Sequence, residues 1–145
     1  MNNVHISNTN IIHVVERPVT PLSLLLIVKI VGTFFPVAAP LLVLPKSRID
    51  QLSGFSPSDV SLYRLYGMAS LALLVGYAGG LVQVADGVFP IGVIAMGFVS
   101  NAGAFTVMLM TGRAQKTPIS AAFFGVIAAG LALAFFFQDA AMAAL

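Results

Sequence analysis

An all-α integral membrane fold, a bundle of four spanning helices with both termini outside, is what this 145-residue sequence predicts. Three observations carry the prediction. Hydrophobic residues make up 59% of the chain and charged residues 8%, where soluble domains carry roughly 25% charge. Four apolar stretches approach or exceed the roughly 20 residues that a spanning helix needs. The basic residues gather in two of the three connections between those stretches, which sets an orientation.

Residues 1–21 read as a polar N-terminal tail and 22–145 as the transmembrane domain. The tail starts MNNVHISNTN and lacks the basic start and apolar core of a signal peptide. The first span covers about 22–44 and is interrupted only by Lys29. The second covers about 61–83. Ahead of it, Ser56-Pro57-Ser58-Asp59 predicts a helix start near Pro57, with Ser56 as cap, Pro57 in the first helical position and Asp59 in the third. Asp86-Gly87 forms the turn into the third span, about 88–111, which Gly112 ends as a C-terminal cap. Thr117-Pro118 opens the fourth, about 118–138. Short connections make the second, third and fourth spans antiparallel neighbours.

The connection from Pro45 to Phe55 is longer. Ser47-Arg48-Ile49-Asp50 resembles a capping pattern, and Ile49, Leu52 and Phe55 recur at three-residue steps. A short interfacial helix and an irregular polar loop both satisfy this segment. Lys46, Arg48 and Arg64 flank this first loop, and Arg113 and Lys116 lie in the third; the second has only Asp86 and the C-terminal tail only Asp139. Basic loops favour the cytoplasm, so loops one and three are expected inside and both termini outside. Tyr63 and Tyr66 fit an inner aromatic belt. The expected location is a bacterial inner (cell) membrane.

Composition also excludes chemistry. A net charge of +2 and a pI near 9.3 are too small an excess for nucleic-acid binding. Without Cys there are no disulfides, thiolate ligands or thiol nucleophiles. The histidines, His5 and His13, lie in the tail, no span carries paired carboxylates, and Met68, Met96, Met108 and Met110 are spread over two spans. No catalytic residue, metal or cofactor is expected, and the chain is not read as an enzyme.

Helices in lipid associate by close packing at small residues. The second span carries Ala72, Gly76 and Gly80 at four-residue steps, the fourth Ala121, Gly125 and Ala129, and the third Gly97, Ser100 and Ala104. These stripes suit packing within the bundle; the alternative is a face for self-association or another subunit. Phe123, Phe124, Phe135, Phe136 and Phe137 read as lipid-facing or bundle-filling groups.

Ionisable groups at membrane depth are the default functional candidates. Lys29 lies about 6 Å from the centre of the first span at 1.5 Å per residue. Its stem is long enough to snorkel toward the outer surface, where Asp86 would attract it; the other reading is a buried lysine with a partner. Lys29, Gly32, Thr33, Pro36 and Pro40 fall on one helical face. The two prolines free the carbonyls of Gly32 and Pro36 and predict a kink on that face. Depth matching nominates Tyr77 as a neighbour, and Asn101 is placed to hydrogen-bond across helices. The candidate polar site is therefore Lys29, Thr33, Tyr77 and Asn101.

Two functions from different classes fit. One is a non-enzymatic subunit or scaffold that binds another membrane protein or self-associates. The alternative is a small oligomeric transporter or channel in which Lys29 receives a polar or anionic solute. In both the bilayer is the first partner.

Overall fold

The computed structural model describes residues 19–54 and 56–145. The polar tail, with His5 and His13, and Phe55 lie outside the described residues, apart from Val19–Pro21. All regular structure among the described residues is helical, and four helices are long and apolar enough to cross a membrane.

Helix α1 (Pro21–Thr33) opens on a capping box: the Ser23 amide donates to Thr20 Oγ1 at 3.1 Å, and the Thr20 amide donates to Ser23 Oγ at 3.0 Å. A single π turn over Phe34–Ala38 follows, then α2 (Ala39–Val43), which completes the first stretch long and apolar enough to cross a membrane. The sequence predicts a proline kink here. At this place the chain inserts one residue, so that the Ala39 amide bonds the Phe34 carbonyl; a π bulge beside a proline is itself a site at which helices bend. The insertion also breaks the predicted stripe, because Lys29 and Thr33 are buried while Pro36 is exposed.

The first loop contains a helix, α3 (Lys46–Ser53), ended by Gly54 at φ +61°. Pro45, not Ser47, stands at its start. Ile49 is buried and Leu52 exposed. Helix α4 (Ser61–Ala85) begins four residues later than the predicted start at Pro57. Ser56 caps nothing there, since its hydroxyl donates to Asp50 at 2.9 Å. Asp59 holds the start instead, accepting from the Ser61 amide at 3.2 Å, and these contacts, that of Ser61 foremost, lower its pKa. The Asp86-Gly87 turn, with Gly87 at φ +75°, leads to α5 (Ile91–Met110). Gly112, at φ +69°, ends α5 as expected and opens a short helix, α6 (Arg113–Lys116). Helix α7 (Pro118–Phe136) starts at Pro118. Thr117 does not cap it; its hydroxyl donates back to the Arg113 carbonyl. The last element, α8 (Gln138–Met142), packs on α1, and the Leu145 amide bonds the Val19 carbonyl.

The long helices pack as two pairs, α1 and α2 along α4, and α5 along α7. The pairs meet at the loop-two end. There a Cβ on Gly80 would come within 2.9 Å of Val93, and one on Gly76 within 3.1 Å of Met96. The Gly76–Gly80 pair is thus an internal seam between α4 and α5. The rest of each small-residue stripe does not follow it: Ala72 and Ala129 are exposed, Ala121 is buried, and Gly125 faces Phe105. Toward loops one and three α4 and α5 diverge, and Tyr63 and Tyr66 face Ala104 and Met108 across a groove.

Candidate functional site

Lys29 sits on the inner face of α1 and is 5% exposed. It does not snorkel. Its Nζ lies 5.1 Å and 4.8 Å from the ring centroids of Phe123 and Phe124 on α7. The two rings pack edge to face, 5.8 Å apart. Gly32, one turn from Lys29, admits the Phe123 ring, which a Cβ would meet at 2.8 Å. From the sequence alone these phenylalanines are bundle-filling or lipid-facing groups; their adjacency to Lys29 depends on how α7 docks, which spacing along the chain does not reveal. Phe135, Phe136 and Phe137 are exposed as that reading has it.

Among the described residues no carboxylate pairs with Lys29 and no acceptor receives its protons. Asp86 stays exposed in the turn. Ring faces contribute about 2 kcal/mol or somewhat more to a desolvated cation, whereas taking an ion out of water costs several kcal/mol. The rings alone therefore leave the ammonium under-compensated.

Beside it lies a cavity of about 60 Å³, lined by Lys29, Thr33, Ser70, Tyr77, Ser100 and apolar neighbours including Phe124. That is room for a few waters or one small polar group. Thr33 is 8% exposed, and its hydroxyl has no partner among the described residues. Tyr77 is fully buried and accepts from Asn101 Nδ2 at 3.1 Å; the same nitrogen donates to the Gly97 carbonyl at 2.6 Å. Gly97 makes room for this contact, since a Cβ there would lie 2.8 Å from both the tyrosine hydroxyl and Leu131. Because the Tyr77 oxygen accepts from Asn101, its own proton is left to donate elsewhere. Asn101 Oδ1 is buried without a partner among the described residues.

The structure thus brings Lys29, Thr33 and Tyr77 together around one cavity and sets Asn101 behind them as the group that orients Tyr77. Ser70 and Ser100 join the lining; both are polar residues at mid-span that depth matching alone had the means to find. Around the cavity, hydroxyl donors and one ammonium converge with no carboxylate among the described residues that line it.

A second, larger space adjoins it. The groove between the diverging halves of α4 and α5 has a volume of about 630 Å³ and shares Val37, Tyr66, Ala104 and Phe124 with the small cavity. Its remaining walls come from Pro36, Pro40 and Leu41 of the π turn and α2, from Ile49, Leu52 and Ser53 of α3, and from Met108 of α5. Arg113 bridges its far end by donating to the Ser53 carbonyl. Arg64 donates to the Leu41 and Leu44 carbonyls at 2.7 Å and 2.9 Å, satisfying the end of α2. Asp50 accepts from Lys46 at 2.7 Å, from Tyr63 at 2.6 Å and from Ser56, tying α3 to α4. These bonds, that of Lys46 foremost, hold its carboxyl below the usual aspartate range. Three residues that read as orientation signals, Lys46, Arg64 and Arg113, are therefore also structural donors.

No family model matches the chain, and no curated protein or solved structure is significantly similar to it.

Proposed function

We propose that the chain is a multi-pass protein of a bacterial cell membrane, with loops one and three in the cytoplasm, that binds an anionic solute at Lys29 and carries it as a small transporter or channel, alone or self-associated, rather than as an enzyme. The observation that supports this is the buried ammonium that faces a hydroxyl-lined cavity and has no carboxylate partner among the described residues. An anion supplies the missing compensation, and the hydroxyls of Thr33 and Tyr77 supply neutral donors that bind it without repelling it. The exposed apolar faces of the four long helices suit a lipid environment.

The subunit reading keeps one specific support. Ala72 and Ala129 turn outward, where small residues let a further helix approach closely. A native mass measured in nanodiscs separates a monomer, a self-assembly and a complex with a different chain.

The transport reading is tested in proteoliposomes that hold an anion gradient. The wild type is expected to speed its collapse. Lys29→Met is expected to slow that rate by about tenfold or more, the scale of losing one charged partner. A Lys29→Met protein that folds and conducts like the wild type sinks the proposal.

A further inference from the structure

Resting on that reading, we infer that the solute is a single-chain amphiphile with a carboxylate head, its head at Lys29 in the small cavity and its hydrocarbon chain along the adjoining groove. Size decides the head. About 60 Å³ accepts a group of a few heavy atoms, so a carboxylate enters and a glycerophosphate does not. Charge decides its sign, because Lys29 carries the one basic group among the residues that line the cavity and the unpartnered Thr33 hydroxyl lines the same space. Continuity decides the tail. The groove shares walls with the cavity, its lining is chiefly apolar, and about 630 Å³ lies within the 300–1,000 Å³ typical of ligand pockets. A small hydrophilic anion would leave that space without a matching group. An amphiphile fills both parts with complementary surface.

Gly103 supplies a clean probe of the tail site. It lines the groove, and a Cβ built on it meets nothing within 4 Å. A Gly103→Leu side chain therefore has room to enter the groove without a clash, and leucine is the better helix former. Lys29→Met probes the head.

The experiment is equilibrium binding to the full chain in nanodiscs of zwitterionic lipid, with palmitate, acetate, hexadecanol and cetyltrimethylammonium as probes, for wild type, Lys29→Met and Gly103→Leu. The expected result is saturable palmitate binding that Lys29→Met weakens by about tenfold or more and Gly103→Leu also weakens. Acetate is expected to bind far more weakly and to be indifferent to Gly103→Leu. Hexadecanol and the cationic amphiphile are expected to compete poorly. Acetate that binds as tightly as palmitate, sensitive to Lys29→Met and not to Gly103→Leu, overturns the amphiphile and leaves the anion reading standing. Palmitate displaced equally well by hexadecanol, with Lys29→Met silent, overturns both. Displacement by phosphatidylglycerol at matched concentration overturns the single-chain carboxylate in favour of a phospholipid.

Discussion

The two ends of the α4–α5 pair are built from the same kind of apolar helix and behave oppositely. At the loop-two end, Gly76, Gly80 and Gly97 remove side chains where Met96, Val93, Leu131 and Tyr77 arrive. At the other end Tyr63, Tyr66 and Met108 line a groove, a Cβ on Gly103 there meets nothing within 4 Å, and the helices part. Polar groups follow the same division. At the closed end Asn101 Nδ2 bridges Tyr77 and the Gly97 carbonyl while Oδ1 stays without a partner among the described residues; at the open end long basic side chains cap carbonyls. The difference teaches that one glycine pattern per helix is enough to make a wedge, with the buried lysine where the wedge begins to open.

The strongest way to break this comparison is to place a side chain at each end. Gly97→Val puts atoms 2.8 Å from Leu131 and from the Tyr77 hydroxyl, two side chains that are themselves buried. Overpacking of this kind costs about 3 kcal/mol at its upper range. A large drop in thermal midpoint by circular dichroism is expected. Gly103→Ala, in open space on the same helix, is expected to stabilise by up to about 1 kcal/mol through helix propensity. Equal effects of the two substitutions would remove the distinction between closed and open ends.

The spans were legible because a bilayer demands about 20 apolar residues per crossing, and the helices Pro21–Val43, Ser61–Ala85, Ile91–Met110 and Pro118–Phe136 fall within a few residues of the stretches read from sequence. The turns at Gly87 and Gly112 were legible for a local reason, a positive φ that glycine adopts freely. The site was legible residue by residue but not as a cavity. Lys29, Thr33, Tyr77 and Asn101 announced themselves by polarity in apolar surroundings. The ring pair under Lys29 did not, because Phe123 and Phe124 look like any other apolar residues until α7 is placed. The π turn was hidden for a different reason: proline marks where a helix ladder fails but not whether the chain inserts a residue there. The ends misled most. Ser56, Ser47 and Thr117 are good capping types, yet Ser56 bonds Asp50, Thr117 bonds the carbonyl of Arg113, and Pro45 takes the position that Ser47 suggests.

The open end offers the next test. Arg64 donates to two carbonyls that close the first crossing, and charged donors of this kind contribute about 1.5–3 kcal/mol. Arg64→Met keeps the apolar stem and removes both donors, so the expected loss is about 2 kcal/mol, with α2 fraying. Hydrogen exchange across Ala39–Leu44 reads this locally. Protection that stays at wild-type level would mean that water satisfies those carbonyls without Arg64.

The smallest expected effect is a pH dependence of the α3 roof. Asp50 binds Lys46, Ser56 and Tyr63, and its folded pKa is lowered, by Lys46 first and Tyr63 next. A carboxylate whose folded pKa lies below its unfolded one stabilises the fold above the unfolded value, about 3.9, and that contribution disappears as pH falls through the folded value. Wild-type thermal midpoint is therefore expected to decline on acidification below about pH 4, more steeply than that of Asp50→Asn, which has no such charge to lose. Loosening α3 also removes Ile49 and Ser53 from the groove wall, so an added apolar probe would bind less tightly over the same interval. Parallel pH profiles for the two proteins would show that Ile49 packing holds the roof alone, and the open end would then be as indifferent to charge as the closed one.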